Sequence, residues 1–600
     1  MKSATSLRSA FVASALFFSR ALGVTLTDAS QLTSTTYDYV IVGAGNAGLV
    51  LANRLTEDAN TTVLVLEAGV SDENVIPVIA PFLGPSVTPD TPWDWNYTTT
   101  AQPGLDNRTY PYPRGRLLGG SSSANYMIHQ YGTNEDWDRM ANVSADAGWA
   151  WSNMKQYIER HEKFILPTNG QNVSSEYIAS LHSYTGELDV SLPVWTQATD
   201  ARVVATTQQL AEFPYNQDIS GINNDMLGIG WAQSSMVNGT RASSSTSYLA
   251  SANDRPNLTV LINAMVTKLL PIGTPAGVRS FRNVQFSDAR TFSVTPSFQV
   301  QATKEVILAA GAVGTPQILQ LSGIGASEDL APLDIPVLVN SPQVGKNLQD
   351  HPLLPNIFNV AGNSSLDHIL RDPAQLGAAI AQWETNRTGF ISNNVVNNIG
   401  FARLNSTVLE QFTDPAAGPT TPHFEIIFAN FWLDPIVTLP SNGSYLTILT
   451  ALVTPTSRGS ITIQSTNPFV APLINPNMLD TLFDITTMVE SVKAIKRFAA
   501  APAWGDYITS AFGSLAGTSD AALEEHARQH TTTVFHPTST ASMAAQDALD
   551  GVVNPDLTVK GTSGLRIVDL SVFPFVPSCH PMGPVYILAE RAADLIKAAS

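Results

Sequence analysis

The sequence predicts a fold of mixed class, α/β and α+β, and three observations point to it. First, 600 residues exceed what one hydrophobic core organises, so at least two domains are expected. Second, the run Tyr37 to Val42 reads as a buried strand and is followed by Gly43-Ala-Gly45-Asn46-Ala47-Gly48, a helical stretch from Leu49 to Leu55, and a second apolar strand from Thr62 to Leu66 that ends in Glu67. That is one βαβ unit of Rossmann type. Third, the middle of the chain is rich in proline, glycine, serine and asparagine between short strand-like runs such as Leu258 to Ile262 and Glu305 to Leu308, with helical patterns at Phe483 to Ala499 and Val585 to Ala598. No fixed-period repeat is present.

Each element of the first unit has a physical reason. Gly43 permits the tight turn, Gly45 lets backbone approach a pyrophosphate, and Gly48 lets the helix lie close on the strand. The first-turn N–H groups of the helix and its positive dipole end favour phosphate charge. Glu67 follows the last glycine by 19 positions (67 minus 48), the spacing at which an acidic residue accepts ribose hydroxyls and repels a 2′-phosphate. NADP is thereby disfavoured; FAD and NAD share this fingerprint, and the motif does not choose between them. The last helical pattern, with Leu588, Ala592, Leu595 and Ile596 on one side, is expected to pack against this unit.

Composition narrows the function further. The chain carries 50 acidic and 32 basic residues, a formal charge of -18, which repels a phosphate backbone and leaves no basic stripe for nucleic acid. A neutral or cationic small molecule suits it better. With 44% hydrophobic and 14% charged residues it is a globular chain. Residues 1–23 read as a signal peptide: Lys2 and Arg8 give positive charge, Ser9 to Phe18 is a short apolar run, and Ala21-Leu22-Gly23 offers small residues for cleavage. The run is too short for a membrane anchor, and Arg20 interrupts its end. Roughly eleven Asn-x-Ser/Thr sequons, including Asn60, Asn96, Asn107, Asn142, Asn238, Asn257 and Asn442, fit an extracellular glycoprotein. The single cysteine, Cys579, excludes an intramolecular disulfide, so stability rests on the core.

Longer motifs carry a resemblance. Arg114-Gly-Arg-Leu-Leu118-Gly119-Gly120-Ser121-Ser-Ser-Ala-Asn125-Tyr126-Met127 resembles the first signature of the glucose-methanol-choline (GMC) oxidoreductases, a family that uses FAD. Gly311-Ala-Val-Gly-Thr-Pro316 through Ser322-Gly323-Ile-Gly325 is similar to the second signature, and Val344 to His351 to the next block. Phe535-His536-Pro537 through Met543, Gly564 through Asp569 to Pro574, and His580 continue the pattern, so that the resemblance spans about residues 37 to 600. The opening strand, Leu66 to Asn74, Trp93 to Thr100 and Ser122 to Met127 look most like fungal aryl-alcohol oxidases, with pyranose dehydrogenases as close relatives.

The resemblance implies a Rossmann-like FAD domain assembled from residues 37–150, 230–345 and 535–600, and a sheet-and-helix substrate domain from 151–229 and 346–534. It implies FAD contacts at Gly43, Gly45, Asn46, Ala47, Gly48, Glu67, Leu118, Gly119, Gly120, Ser121, Asn125, Tyr126, Met127, Val266 and Asp569, the last also placed to cap a helix. Ala124 stands where flavin-linked relatives carry histidine, so FAD is expected without a covalent tether. His536 matches the catalytic base, suited by a pKa near neutrality, and His580 the residue that holds the alcohol oxygen. Tyr126, Phe535 and Trp432 are expected to enclose the substrate. The remaining histidines, His161, His182, His368, His423, His526 and His530, read as surface or structural, His351 as support for a turn, and no metal is implied.

The sequence departs from the pattern at Leu433, where an aromatic gate is expected, at Tyr131 in place of arginine, and at Cys579 beside His580. The function implied is FAD-dependent oxidation of a primary alcohol, aromatic in the first instance, to the aldehyde, with oxygen reduced to hydrogen peroxide, by a secreted monomer active in lignocellulose decay. The alternatives are a pyranose dehydrogenase using quinone acceptors and a hydroxynitrile lyase.

Overall fold

A computed structural model describes residues 25–273, 277–546 and 548–599. The signal peptide expected over residues 1–23 lies outside the described residues. The strand Thr36–Val42 is apolar and β-branched at its end, and Val40 and Ile41 are fully buried because it lies at the centre of a parallel sheet. Val63–Leu66 pairs on one side of it and Ser297–Leu308 on the other, both in parallel register. Leu258–Leu261 and Thr25–Leu26 extend the sheet beyond Val63–Leu66, and Leu565–Ile567 pairs with the end of Ser297–Leu308. Arg279–Asp288 and Ala264–Ile272 continue it as an antiparallel extension.

The helix Asn46–Leu55 covers this sheet and is itself covered by the C-terminal helix Met582–Ala598. Between them the buried Glu590 carboxylate accepts from Arg54 Nε and Nη2, at 2.9 and 2.8 Å, and from the Tyr248 hydroxyl at 2.9 Å. A charge so enclosed is tolerated only because each of its oxygens is bonded.

A second, antiparallel sheet runs in the order Ile508–Ala511, Pro352–Val360, Tyr445–Leu452, Phe424–Ala429, Asn398–Ala402, Gly228–Trp231. Its strands alternate between two apolar environments. Leu354, Ile426, Phe428 and Ile448 join the core beneath the helix Leu482–Ala499, whereas Leu353, Ile427 and Leu449 face the opposite way, toward a cleft shared with the first sheet. The expected boundary between residues 229 and 230 falls inside the strand Gly228–Trp231, all of which pairs with Asn398–Ala402; the second sheet therefore claims residues 230 and 231.

Candidate active site

The cleft opens at the carboxyl ends of Thr36–Val42, Val63–Leu66 and Ser297–Leu308, the place where parallel sheets bind ligands. Of the residues expected at a cofactor, Gly43, Gly45, Asn46, Ala47, Glu67, Gly120, Ser121, Asn125, Tyr126, Met127, Val266 and Asp569 line it. Gly48, Leu118 and Gly119 do not; they brace its wall. A Cβ on Gly48 would lie 2.0 Å from the Gly43 carbonyl oxygen, and the Gly119 N–H donates to the Ala44 carbonyl at 2.9 Å. Gly43, at φ +107°, also has Ala309 against it: a Cβ there would meet the Ala309 carbonyl oxygen at 2.4 Å.

Two helix starts converge on the cleft, Gly45 before Asn46–Leu55 and Gly311 before the rest of Gly311–Leu321. A Cβ on Gly311 would meet nothing within 4 Å, and one on Gly45 only the Gly120 Cα at 3.9 Å, so both backbones border open space. Glu67 is buried at the far end of the motif, its oxygens accepting the N–H groups of Ala44 and Gly69 at 2.8 and 2.7 Å. Burial raises its pKa, and these two N–H groups oppose the rise.

Asp569 lines the cleft, but its carboxylate is held by the Gly311 N–H at 2.9 Å, Thr315 Oγ1 at 2.6 Å and the Ser571 N–H at 2.8 Å. Capping of Gly311–Leu321, not a free acceptor, is the role its geometry gives. Asn125 is oriented by Arg241, whose Nη1 donates to Oδ1 at 2.9 Å. Among the described residues the buried Arg241 has no carboxylate partner, and desolvation lowers its pKa to about 9.

At the other end of the cleft His536 and His580 meet edge to face, ring centroids 4.7 Å apart. His536 is brought there by the turn at Phe535, φ +66°, whose carbonyl accepts from Arg114 Nη1 at 2.5 Å. The His536 N–H donates to Asp350 Oδ1 at 2.8 Å. Burial, with His580, His351 and Arg114 nearby, drives the His536 pKa well below its usual value, so the ring is neutral. His580 Nε2 lies 2.9 Å from Glu425 Oε1, and both side chains are buried.

Tyr126 and Phe535 line the cleft beside this pair, with Leu353, Val395, Val396, Ile427, Leu433 and Leu449. Trp432 does not. It packs edge to face with Tyr445 and Phe512 at 4.9 and 5.2 Å, its Nε1 bound to the Val437 carbonyl, and it is the next residue, Leu433, that reaches the cleft. His351, expected to support a turn, instead places its Nδ1 3.0 Å from Nδ1 of His536. Glu425 was not anticipated at all. The available signal was an acidic residue in an otherwise apolar strand, Phe-Glu-Ile-Ile-Phe-Ala, where a buried charge demands a partner.

A family model described as GMC oxidoreductase matches residues 37–353 with its N-terminal part and 455–589 with its C-terminal part. The chain belongs to this family. Among the curated relatives of this GMC oxidoreductase are the dehydrogenase eriK of Hericium erinaceus, 37% identical over 95% of this chain and 96% of that protein, and pyranose dehydrogenase 3 of Leucoagaricus meleagris, 35% identical over 93% and 92%. Solved structures similar to it include a formate oxidase of Aspergillus oryzae, 28% identical with a TM-score of 0.84, and a fungal aryl-alcohol oxidase, 26% identical with a TM-score of 0.79, each covering 94% of this chain and 99% of the other.

The cofactor is FAD, and the cleft fits it. Open backbone at two helix N-termini suits a pyrophosphate, Glu67 a ribose, and the wall at Val266 and Met265 an adenine. Asn125 to Met127 and the two histidines would then border its flavin end.

Proposed function

We propose that this GMC oxidoreductase oxidises an aromatic primary alcohol to the aldehyde, with oxygen as the electron acceptor and hydrogen peroxide as the second product. The observation that carries the reading is a neutral, buried His536 beside a His580 bound to a carboxylate, at an end of the cleft whose remaining wall is apolar. His536 takes the hydroxyl proton. His580, held by Glu425, directs its other ring nitrogen to the alcohol oxygen and fixes the orientation of the carbon. FAD, when bound, accepts the hydride from that carbon. Tyr126 and Phe535 offer ring faces to an aryl group, and Leu353, Val395, Ile427 and Leu433 exclude water from it.

Similarity to pyranose dehydrogenases favours a second reading, a sugar oxidised with a quinone as acceptor. The apolar wall supports the first reading, because the other hydroxyls of a pyranose would be buried there without partners. Ala124 at the cleft offers no side chain for a covalent link, so FAD is proposed to be held non-covalently. Export to the extracellular space is proposed from the composition of residues 1–23 and from exposed sequons such as Asn60, Asn107 and Asn442.

Anaerobic mixing of the yellow protein with aryl alcohols and with aldopyranoses, followed by air or a quinone, tests the reading. Flavin bleaching by aryl alcohols with rapid recovery and peroxide in air is the expected result. Bleaching by sugars alone, with recovery only on adding the quinone, would overturn it, and absence of bleaching by either would favour a lyase.

A further inference from the structure

The contact between His351 and His536 raises a question about protons, and the answer rests on the alcohol-oxidation reading above. The two Nδ1 atoms are 3.0 Å apart, so one of them carries hydrogen and the other a lone pair. Burial lowers the pKa of His351 to about 3 and that of His536 well below the usual value. Both rings are therefore neutral, with one N–H each.

Two arrangements satisfy the contact. In one, His536 donates from Nδ1 and its Nε2 keeps the lone pair; His351 then carries its hydrogen on Nε2. In the other, His351 donates from Nδ1, its own Nε2 is left with a buried lone pair, and His536 is protonated at Nε2. The surroundings of His351 decide between them. Among the described residues its Nε2 neither gives nor receives a hydrogen bond, and the backbone groups beside the ring are the carbonyls of Val453 and Pro577, which only accept. A lone pair buried against carbonyl oxygens is repelled, whereas an N–H is not. The first arrangement wins.

We propose that His351 is a positioning residue that holds His536 in the tautomer protonated at Nδ1, which leaves Nε2 as the nitrogen able to take the alcohol proton. Asp350 keeps the two rings in register, since its Oδ1 accepts the backbone N–H of both His351 and His536 at 2.8 Å while Oδ2 accepts from Tyr112 and Thr533. As the O–H proton moves to Nε2 and the hydride leaves the carbon for FAD, His536 becomes an imidazolium whose Nδ1–H still points at the His351 lone pair. The same acceptor thus stabilises the charged form as it appears.

Neutron diffraction from the FAD-bound protein reads the tautomer directly. A deuteron on Nδ1 of His536 and none on Nε2 is expected; the reverse placement overturns the proposal. Kinetics give a second readout. His351→Leu removes the acceptor and is expected to slow anaerobic flavin reduction at least about 100-fold at saturating alcohol, with FAD content retained. His351→Asn, whose Oδ1 can accept from the same N–H, is expected to restore most of the rate.

The pH profile of reduction is compared in both variants, because His580, Arg114, Asp350 and Tyr112 also face this pair. A His351→Leu variant that reduces as fast as the parent overturns the proposal. His536→Ala separates the two levels. If that variant still reduces at the parental rate, the reading of His536 as base falls; if it is slow and His351→Leu is not, only the tautomer inference falls.

Discussion

Glu425 shows how much one side chain can decide. It follows Phe424 in a buried strand, and the two-residue period places it on the same face as Ile427, toward the cleft and His580. Glu425→Gln keeps the shape and removes the charge. Loss of a charged hydrogen bond is worth about 1.5–3 kcal/mol, so flavin reduction should slow by roughly ten- to a hundredfold with FAD binding unchanged, measured by stopped-flow absorbance. A second residue gives a prediction of another kind. Asn257 lies in a sequon, but its Nδ2 donates to the carbonyls of Thr56, Asp58 and Thr61 at 3.1, 3.0 and 2.8 Å. A glycan on that nitrogen would displace these bonds, so peptide mapping of protein from a eukaryotic host is expected to find Asn257 bare while exposed Asn60 or Asn442 is occupied.

At the scale of elements, His182 joins two segments distant in sequence. Its Nδ1 lies 2.7 Å from Glu162, at the start of the strand Glu162–Ile165, and its Nε2 2.9 Å from Asp218. Burial alone would lower its pKa, but hydrogen bonds and charge from Asp218 and Glu162 raise it from 6.5 to about 9. A pKa raised on folding stabilises fully below the unfolded value and loses its contribution as pH climbs through the folded one. The melting temperature of the parent should therefore exceed that of His182→Gln most at pH 6, and the gap should close by about pH 10, as followed by calorimetry.

Elements also show what the sequence could and could not convey. The Gly43 to Gly48 turn, its flanking strands and the helices Leu482–Ala499 and Met582–Ala598 were legible, because local pattern specifies them. The second sheet was not. Pro352–Val360, Phe424–Ala429 and Tyr445–Leu452 are buried on both faces, so they show no alternation, and their order depends on partners a hundred residues apart. Trp432 was misplaced for a related reason. Neighbouring residues of an extended chain point in opposite directions, and a shift of one position exchanged Trp432 for Leu433 at the cleft. His351 lay in a matched motif, but its meeting with His536 spans 185 positions and is invisible to local pattern.

For the whole molecule, the cleft is walled by both sheets, with Glu67 from the first and Ile427 and Leu449 from the second. A ligand bound between them holds the two together. Removal of FAD should lower the melting temperature, and each tenfold increase in free FAD above its dissociation constant should restore about 1.4 kcal/mol, seen as a concentration-dependent melt.

The packing of Met582–Ala598 on Asn46–Leu55 has a consequence in time as well as in space. A ribosome releases the first glycine turn some five hundred residues before the helix that covers it, and His536 and His580 both belong to the last stretch made. The nascent chain thus carries the apolar helix Asn46–Leu55 without its covering helix through most of its synthesis. It gains the histidine pair only in the last stretch of that synthesis.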